Sequence, residues 1–145
     1  MKLPSCGNRR RILSRSIRSK TEGLYIVVTA PSGTGKSSIC QKVLEKCACL
    51  RFSVSHTTRP ARPGEEDGKD YFFISEDEFR KRIGQGEFVE WVEHLGYFYG
   101  TSEKKINALW NSGFDIILDL EPRGAKALKE RWSQGVFVFI LPPSL

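Results

Sequence analysis

The feature that most constrains this chain is the segment Ala30-Pro31-Ser32-Gly33-Thr34-Gly35-Lys36-Ser37. It follows a short apolar run, Leu24-Tyr25-Ile26-Val27-Val28. It precedes a helix expected over about 36–47, with Ile39, Val43 and Leu44 on one face. An unbroken apolar run of this length reads as a strand buried on both faces of a parallel sheet. Strand, glycine turn and helix in this order match the phosphate loop G-x-x-x-x-G-K-[ST], with Ala30 in place of the first glycine. The order has a physical reason. Gly33 and Gly35 free backbone N–H groups to converge on phosphate oxygens, and the helix N-terminus adds its positive dipole end. Lys36 is expected to reach the β- and γ-phosphates, and the Ser37 hydroxyl to bind Mg²⁺. The nucleoside triphosphate contacts predicted here are Ala30, Pro31, Ser32, Gly33, Thr34, Gly35, Lys36, Ser37 and Ser38.

Such a loop needs a carboxylate near its metal. Ile116-Ile117-Leu118-Asp119 is an apolar strand ending in an acid, the Walker B pattern, which makes Ser37 and Asp119 the expected metal-side residues. The guanine motif Asn-Lys-x-Asp of GTP-binding switches is absent from the sequence.

The rest of the chain alternates strands and helices. Strands are expected at Tyr71–Ile74, Phe88–His94, Asp115–Asp119 and Val136–Leu141. Ser75-Glu76-Asp77-Glu78 reads as a capping box that opens a helix with Phe79 and Ile83 inward. Ser102 caps another, carrying Ile106, Leu109 and Trp110, and residues 124–132 form a further helix. Gly96 marks a turn, and residues 55–70, rich in Pro, Gly, Thr and charge, read as a loop. The pattern predicts an α/β fold with a parallel sheet flanked by helices, interrupted over roughly 53–101 by an insertion of short strands. Insertions of this kind carry substrate recognition.

At 145 residues the chain has the size of one domain. No apolar run is long enough to span a bilayer. The net charge of +6 sits entirely in residues 1–23, an Arg- and Ser-rich extension that reads as a disordered arm, a transit-like presequence or a mistaken start site. Residues 24–145 hold 16 charges of each sign, which argues against a nucleic-acid footprint on the body. The cysteines at 6, 40, 47 and 49 lack metal or redox spacing and fit reduced thiols in the cytoplasm.

The insertion carries a second set of phosphate-binding and base-reading residues. Ser55-His56-Thr57-Thr58-Arg59-Pro60-Ala61-Arg62-Pro63-Gly64 puts two arginines three apart on a proline-stiffened loop, with Tyr71 and Tyr99 further on. Guanidinium forks and phenol hydroxyls suit a phosphate. Glu90 can accept from the N1–H and N2–H₂ edge of guanine, which adenine lacks, and Ser55 and Thr101 can donate to guanine O6.

Taken together, these segments make the chain resemble the guanylate kinase family from about Leu24 to Ser144. The resemblance rests on Pro-Ser-Gly-x-Gly-Lys-Ser at 31–37, Ser-x-Thr-Thr-Arg-x-x-Arg-Pro-Gly at 55–64 and Gly-Lys-Asp-Tyr at 68–71. It rests equally on Phe-Val-Glu at 88–90, Tyr-Gly-Thr at 99–101 and Leu-Pro-Pro-Ser at 141–144. It implies the P-loop nucleoside monophosphate kinase fold and the reaction ATP + GMP → ADP + GDP, with Mg²⁺, in purine nucleotide metabolism and GMP recycling. Arg59, Arg62, Tyr71 and Tyr99 would hold the GMP phosphate, and Ser55, Glu90 and Thr101 would read guanine. Position 121, usually aspartate in the family, would contact the guanine N–H groups through Glu121. Lys36, Arg59 and Arg62 would carry the catalysis. Pro122 and Arg123 depart from the family pattern.

The resemblance also implies a continuation past Leu145 into an arginine-bearing lid and an adenine pocket. The 145 residues are therefore expected to be a truncated kinase, weak in turnover. Two competing readings remain: a non-catalytic guanylate-kinase-like interaction module, against which Lys36, Ser37, Arg59 and Arg62 speak, and an RNA-binding arm over residues 9–20.

Overall fold

The computed structural model describes residues 23–31 and 33–142. Apart from Gly23, the basic extension lies outside the described residues, as do Cys6, Ser32 and the end of the Leu141–Ser144 motif.

The described chain opens with β1 (Tyr25–Thr29), α1 (Lys36–Lys46) and β2 (Leu50–Phe52). A middle segment follows: β3 (His56–Thr57), β4 (Phe72–Phe73), α2 (Glu76–Gly84), β5 (Phe88–His94) and β6 (Tyr97–Ser102). Then come α3 (Glu103–Asn111), β7 (Asp115–Asp119), α4 (Pro122–Arg131) and β8 (Val136–Phe139). One sheet has the order β2-β7-β1-β8, and all three of its pairings are parallel. The other has the order β4-β3-β6-β5, parallel only between β3 and β4.

The apolar strands of the parallel sheet are explained by burial on both faces. Tyr25, Val27, Ile116 and Leu118 face one core with Ile106 and Leu128, while Val28 and Ile117 face another with Cys40 and Leu50. A third cluster, Phe79, Phe88 and Phe98, seats α2 against the second sheet. Val89 reaches from β5 into the first core and so ties the two sheets together.

Several boundaries and faces differ from the sequence expectation. Cys40 takes the buried position on α1, and Ile39, one residue round the helix, is 42% exposed. Pro122 begins α4 two residues before the expected start, because a first-turn proline loses no helical hydrogen bond. The expected loop 55–70 contains β3, a two-residue strand that exists only through its pairings with Phe72–Phe73 and Tyr99–Gly100. β2 was not expected, and neither was the strand character of Tyr97–Ser102. The final strand is four residues long and lies at the sheet edge, so Val136, Val138 and Phe139 are exposed. Both serine caps form: Ser75 accepts from Glu78 N at 3.2 Å and Ser102 from Lys105 N at 3.5 Å.

Candidate active site

The loop between β1 and α1 takes the shape its glycines allow. Gly33 and Gly35 have φ of 79° and 77°, the left-handed region where a side chain is strained. Among the described residues, chain neighbours apart, nothing lies within 4 Å of where a Cβ would stand at either, so conformation rather than space requires them. Thr34 Oγ1 closes the loop by donating to Pro31 O at 2.8 Å. Gly35 caps α1 with no side-chain hydrogen bond, and the first turn holds no acid. The helix therefore offers its first N–H groups and positive dipole end to an anion. Ser37 and Ser38 are exposed on that turn.

Parallel pairing of β1 with β7 sets Val28 opposite Asp119, bringing the end of β7 beside the phosphate loop. Lys36 Nζ forms an ion pair with Asp119 Oδ1 and donates to Leu120 O at 3.4 Å. The Walker B carboxylate thus lies within reach of the loop. Ser37 and Asp119 offer hard oxygen donors, which suit Mg²⁺ held largely through substrate phosphates. Among the described residues no group of three His, Cys, Asp or Glu side chains could hold a metal alone. Beneath the loop, burial pushes the Cys40 thiol up, with the charge of Asp119 adding to it.

The arginine loop is built by its two threonines. Thr57 Oγ1 donates to Phe98 O at 3.0 Å and Thr58 Oγ1 accepts from Phe98 N at 2.9 Å. Arg59 N then donates to Thr57 Oγ1 at 3.2 Å. The Arg59 guanidinium forks onto Glu65, Nη1 to Oε2 and Nη2 to Oε1, both at 2.9 Å. Glu65 is held in turn by the loop itself. Arg62-Pro63-Gly64-Glu65 is a turn with proline second, glycine third at φ 87°, and Glu65 N donating to Arg62 O at 3.0 Å. That is type II geometry. Glu65 Oε2 also accepts from Arg62 N at 2.7 Å. Arg59 and that N–H pull the Glu65 carboxyl down to about 2. Glu65, and then the Tyr99 hydroxyl, raise the Arg59 guanidinium above its ordinary range.

Tyr71 and Tyr99 pack edge to face at 6.0 Å between ring centroids, with Arg59 5.4 Å from the Tyr71 ring. Burial raises the Tyr71 hydroxyl, and the charge of Asp119 adds to it. The Arg62 side chain is exposed, and Ser55 is engaged through its carbonyl, which accepts from Phe72 N at 2.9 Å.

Glu90 owes its burial to a bulge. Phe88 pairs with Ser102 but Glu90 pairs with Thr101, so Val89 is the extra residue on β5. The strand then buries three successive side chains instead of alternating: Phe88 and Val89 in two cores, and Glu90 at 6% exposure. Thr101 Oγ1 donates to Glu90 Oε1 at 2.5 Å, so the hydroxyl expected on guanine O6 is committed to this carboxylate. Burial raises Glu90 to about 7; Thr101 pulls it down and the charge of Glu121 pushes it up. Glu121 sits at the N-cap of α4 with Oε2 3.4 Å from His94 Nδ1.

The predicted residues therefore form three groups: Lys36 with Asp119 at the phosphate loop, Arg59 with Tyr71 and Tyr99, and Glu90 with Thr101 and Glu121. Glu65 was missed, although Pro-Gly between Arg62 and an acid is a turn signal. Gly124 was missed as well: a Cβ there would stand 2.8 Å from Glu90 Oε2.

Residues 22–145 match the sequence model of a family described as guanylate kinase. The chain belongs to the guanylate kinase family. Among relatives of that name, the one from Syntrophus aciditrophicus is 56% identical over 126 residues, 87% of this chain. The one from Thermotoga maritima is 48% identical over 123 residues, 85% of this chain. The chain spans 61% and 59% of their lengths. The crystal structure of guanylate kinase from Anaplasma phagocytophilum superposes with a TM-score of 0.73 at 36% identity. That match covers 86% of this chain and 63% of the other. The likeness extends to the α/β architecture with a parallel sheet flanked by helices.

Proposed function

We propose that the protein transfers the γ-phosphoryl group of ATP to GMP, giving ADP and GDP. The single observation that carries the substrate choice is Glu90. Its carboxylate is buried, Thr101 occupies one oxygen, and no ion pair holds it among the described residues. A buried acceptor of this kind calls for N–H donors. Guanine supplies N1–H and N2–H₂. Adenine presents an acceptor and a C–H there, and would leave the carboxylate unpaired.

In this reading Glu121 is the second acceptor for those donors, and Ser55 donates to guanine O6. Thr101 serves the base through Glu90. Arg59, Arg62, Tyr71 and Tyr99 hold the GMP phosphate, with Glu65 fixing the Arg59 fork. The segment Ala30–Ser38 cradles the ATP phosphates. Lys36 exchanges its Asp119 partner for phosphate oxygens and neutralises charge as it develops. Ser37 and Asp119 would hold Mg²⁺, which would supply further positive charge. A GMP phosphate oxygen, already anionic at neutral pH, forms the new P–O bond while the bond to ADP breaks. No general base is needed, and His56 and His94 take no part in proton transfer.

ATP and GMP are the proposed partners. A cytoplasmic setting is proposed on the free thiols of Cys40, Cys47 and Cys49. Among the described residues no helix is long and apolar enough to cross a membrane.

The test is product analysis with γ-labelled ATP, Mg²⁺ and either GMP or AMP, using the full-length protein. Label appearing in GDP, with little or none in ADP formed from AMP, supports the reading. Label in neither product, from a folded protein, refutes it.

A further inference from the structure

Gly124 lies in the first turn of α4, two residues after Pro122, and is buried. It has no positive φ, so its backbone is one that any residue adopts. Alanine would ordinarily be preferred in a helix by roughly 1 kcal/mol. Space is what excludes it. A Cβ at 124 would stand 2.8 Å from Glu90 Oε2 and 3.5 Å from Glu90 Cδ, whereas the next neighbour, Leu120 Cβ, is at an ordinary 3.9 Å. The whole obstruction is thus the far end of one side chain. That end is pinned from the other side by Thr101 Oγ1 at 2.5 Å from Oε1. A methyl group at 124 would therefore push Oε2 away and rotate Oε1 off Thr101, with little cost to the backbone or the core.

We propose that Gly124 is a positioning residue: its missing side chain is the space that sets the Glu90 carboxylate where it reads the acceptor base. This rests on the assignment of Glu90 as the guanine acceptor. Gly124 thereby becomes part of the specificity pocket without touching the substrate.

The test is Gly124→Ala in the full-length protein. A displacement of about 1 Å at a recognition group can cost on the order of 10²-fold. The expected result is a GMP KM raised roughly 10- to 100-fold, an ATP KM within about twofold, a reduced preference for GMP over AMP, and an unchanged or higher Tm. In a Glu90→Ala background the obstructing atoms are gone, so adding Gly124→Ala should leave the residual GMP KM unchanged and raise Tm by the helix preference of alanine alone. A GMP KM within about twofold of wild type overturns the inference, as does a fall in Tm accompanied by equal losses toward ATP and GMP. If the wild-type protein itself fails to prefer GMP over AMP, the assignment of Glu90 has failed instead. The two failures are therefore distinguishable.

Discussion

Replacing Glu90 with glutamine should stabilise the free protein and disable it as a guanine reader. In the folded state Glu90 is held near 7 by burial, against 4.5 in an unconstrained chain. Each pKa unit corresponds to about 1.4 kcal/mol. As pH rises the unfolded chain releases this proton first, while the folded protein keeps it until about pH 7. Between those values the folded state binds more protons, so stability falls with rising pH and then levels off. Above pH 7 the wild type carries a penalty of about 3 kcal/mol from this one group, and glutamine carries none. The shape is conserved, and Thr101 can still donate to the amide oxygen. Denaturant unfolding without nucleotide, at pH 4, 6 and 8, reads the difference directly. His56, pushed down to about 4 by burial, titrates in both proteins and cancels. The gap between E90Q and wild type should be near zero at pH 4 and approach about 3 kcal/mol at pH 8. A gap that does not change with pH, or an E90Q protein less stable than wild type at pH 8, would refute the reasoning.

Three further outcomes follow from the same geometry. Guanine binding needs the ionised Glu90, so affinity should be full above pH 7 and weaken about tenfold per unit below it. Competition by guanosine shows this without interference from a titrating phosphate. Glu65→Gln removes the charge that braces Arg59 and turns one of the two oxygens that accept from the Arg59 fork into an NH₂ donor, so KM for GMP should rise about tenfold while that for ATP stays unchanged; steady-state kinetics decides. Lys36→Ala should lower kcat by about 10²–10³, with GMP binding by calorimetry preserved. Equal losses in kcat and GMP binding would place Lys36 in the fold rather than in the reaction.

What the sequence made legible was local. The phosphate loop, the Ser75 and Ser102 caps and the apolar strands β1 and β7 depend on neighbouring residues whose spacing carries the signal. The contacts that shape the pocket are not local. Arg59 finds Glu65 across a turn, and Thr101 reaches Glu90 because Val89 is an extra residue on β5. Gly124 meets Glu90 only because α4 packs on that strand. Periodicity cannot register a single-residue bulge, which is why three consecutive buried positions, 88–90, read simply as a strand. On α1, Val43 and Leu44 pack on the core as expected, while Cys40 takes the place expected for Ile39, because both are apolar and only the position of the sheet decides between them.

The measurement that tests the central claim most directly is kcat/KM for GMP, IMP and AMP as phosphoryl acceptors. IMP keeps the N1–H donor and lacks the 2-amino group, and AMP lacks both. If the buried Glu90 reads that edge, kcat/KM falls stepwise from GMP to IMP to AMP, with AMP lower than GMP by about 10⁴ or more. Equal values for GMP and IMP, or a preference for AMP, would contradict the account.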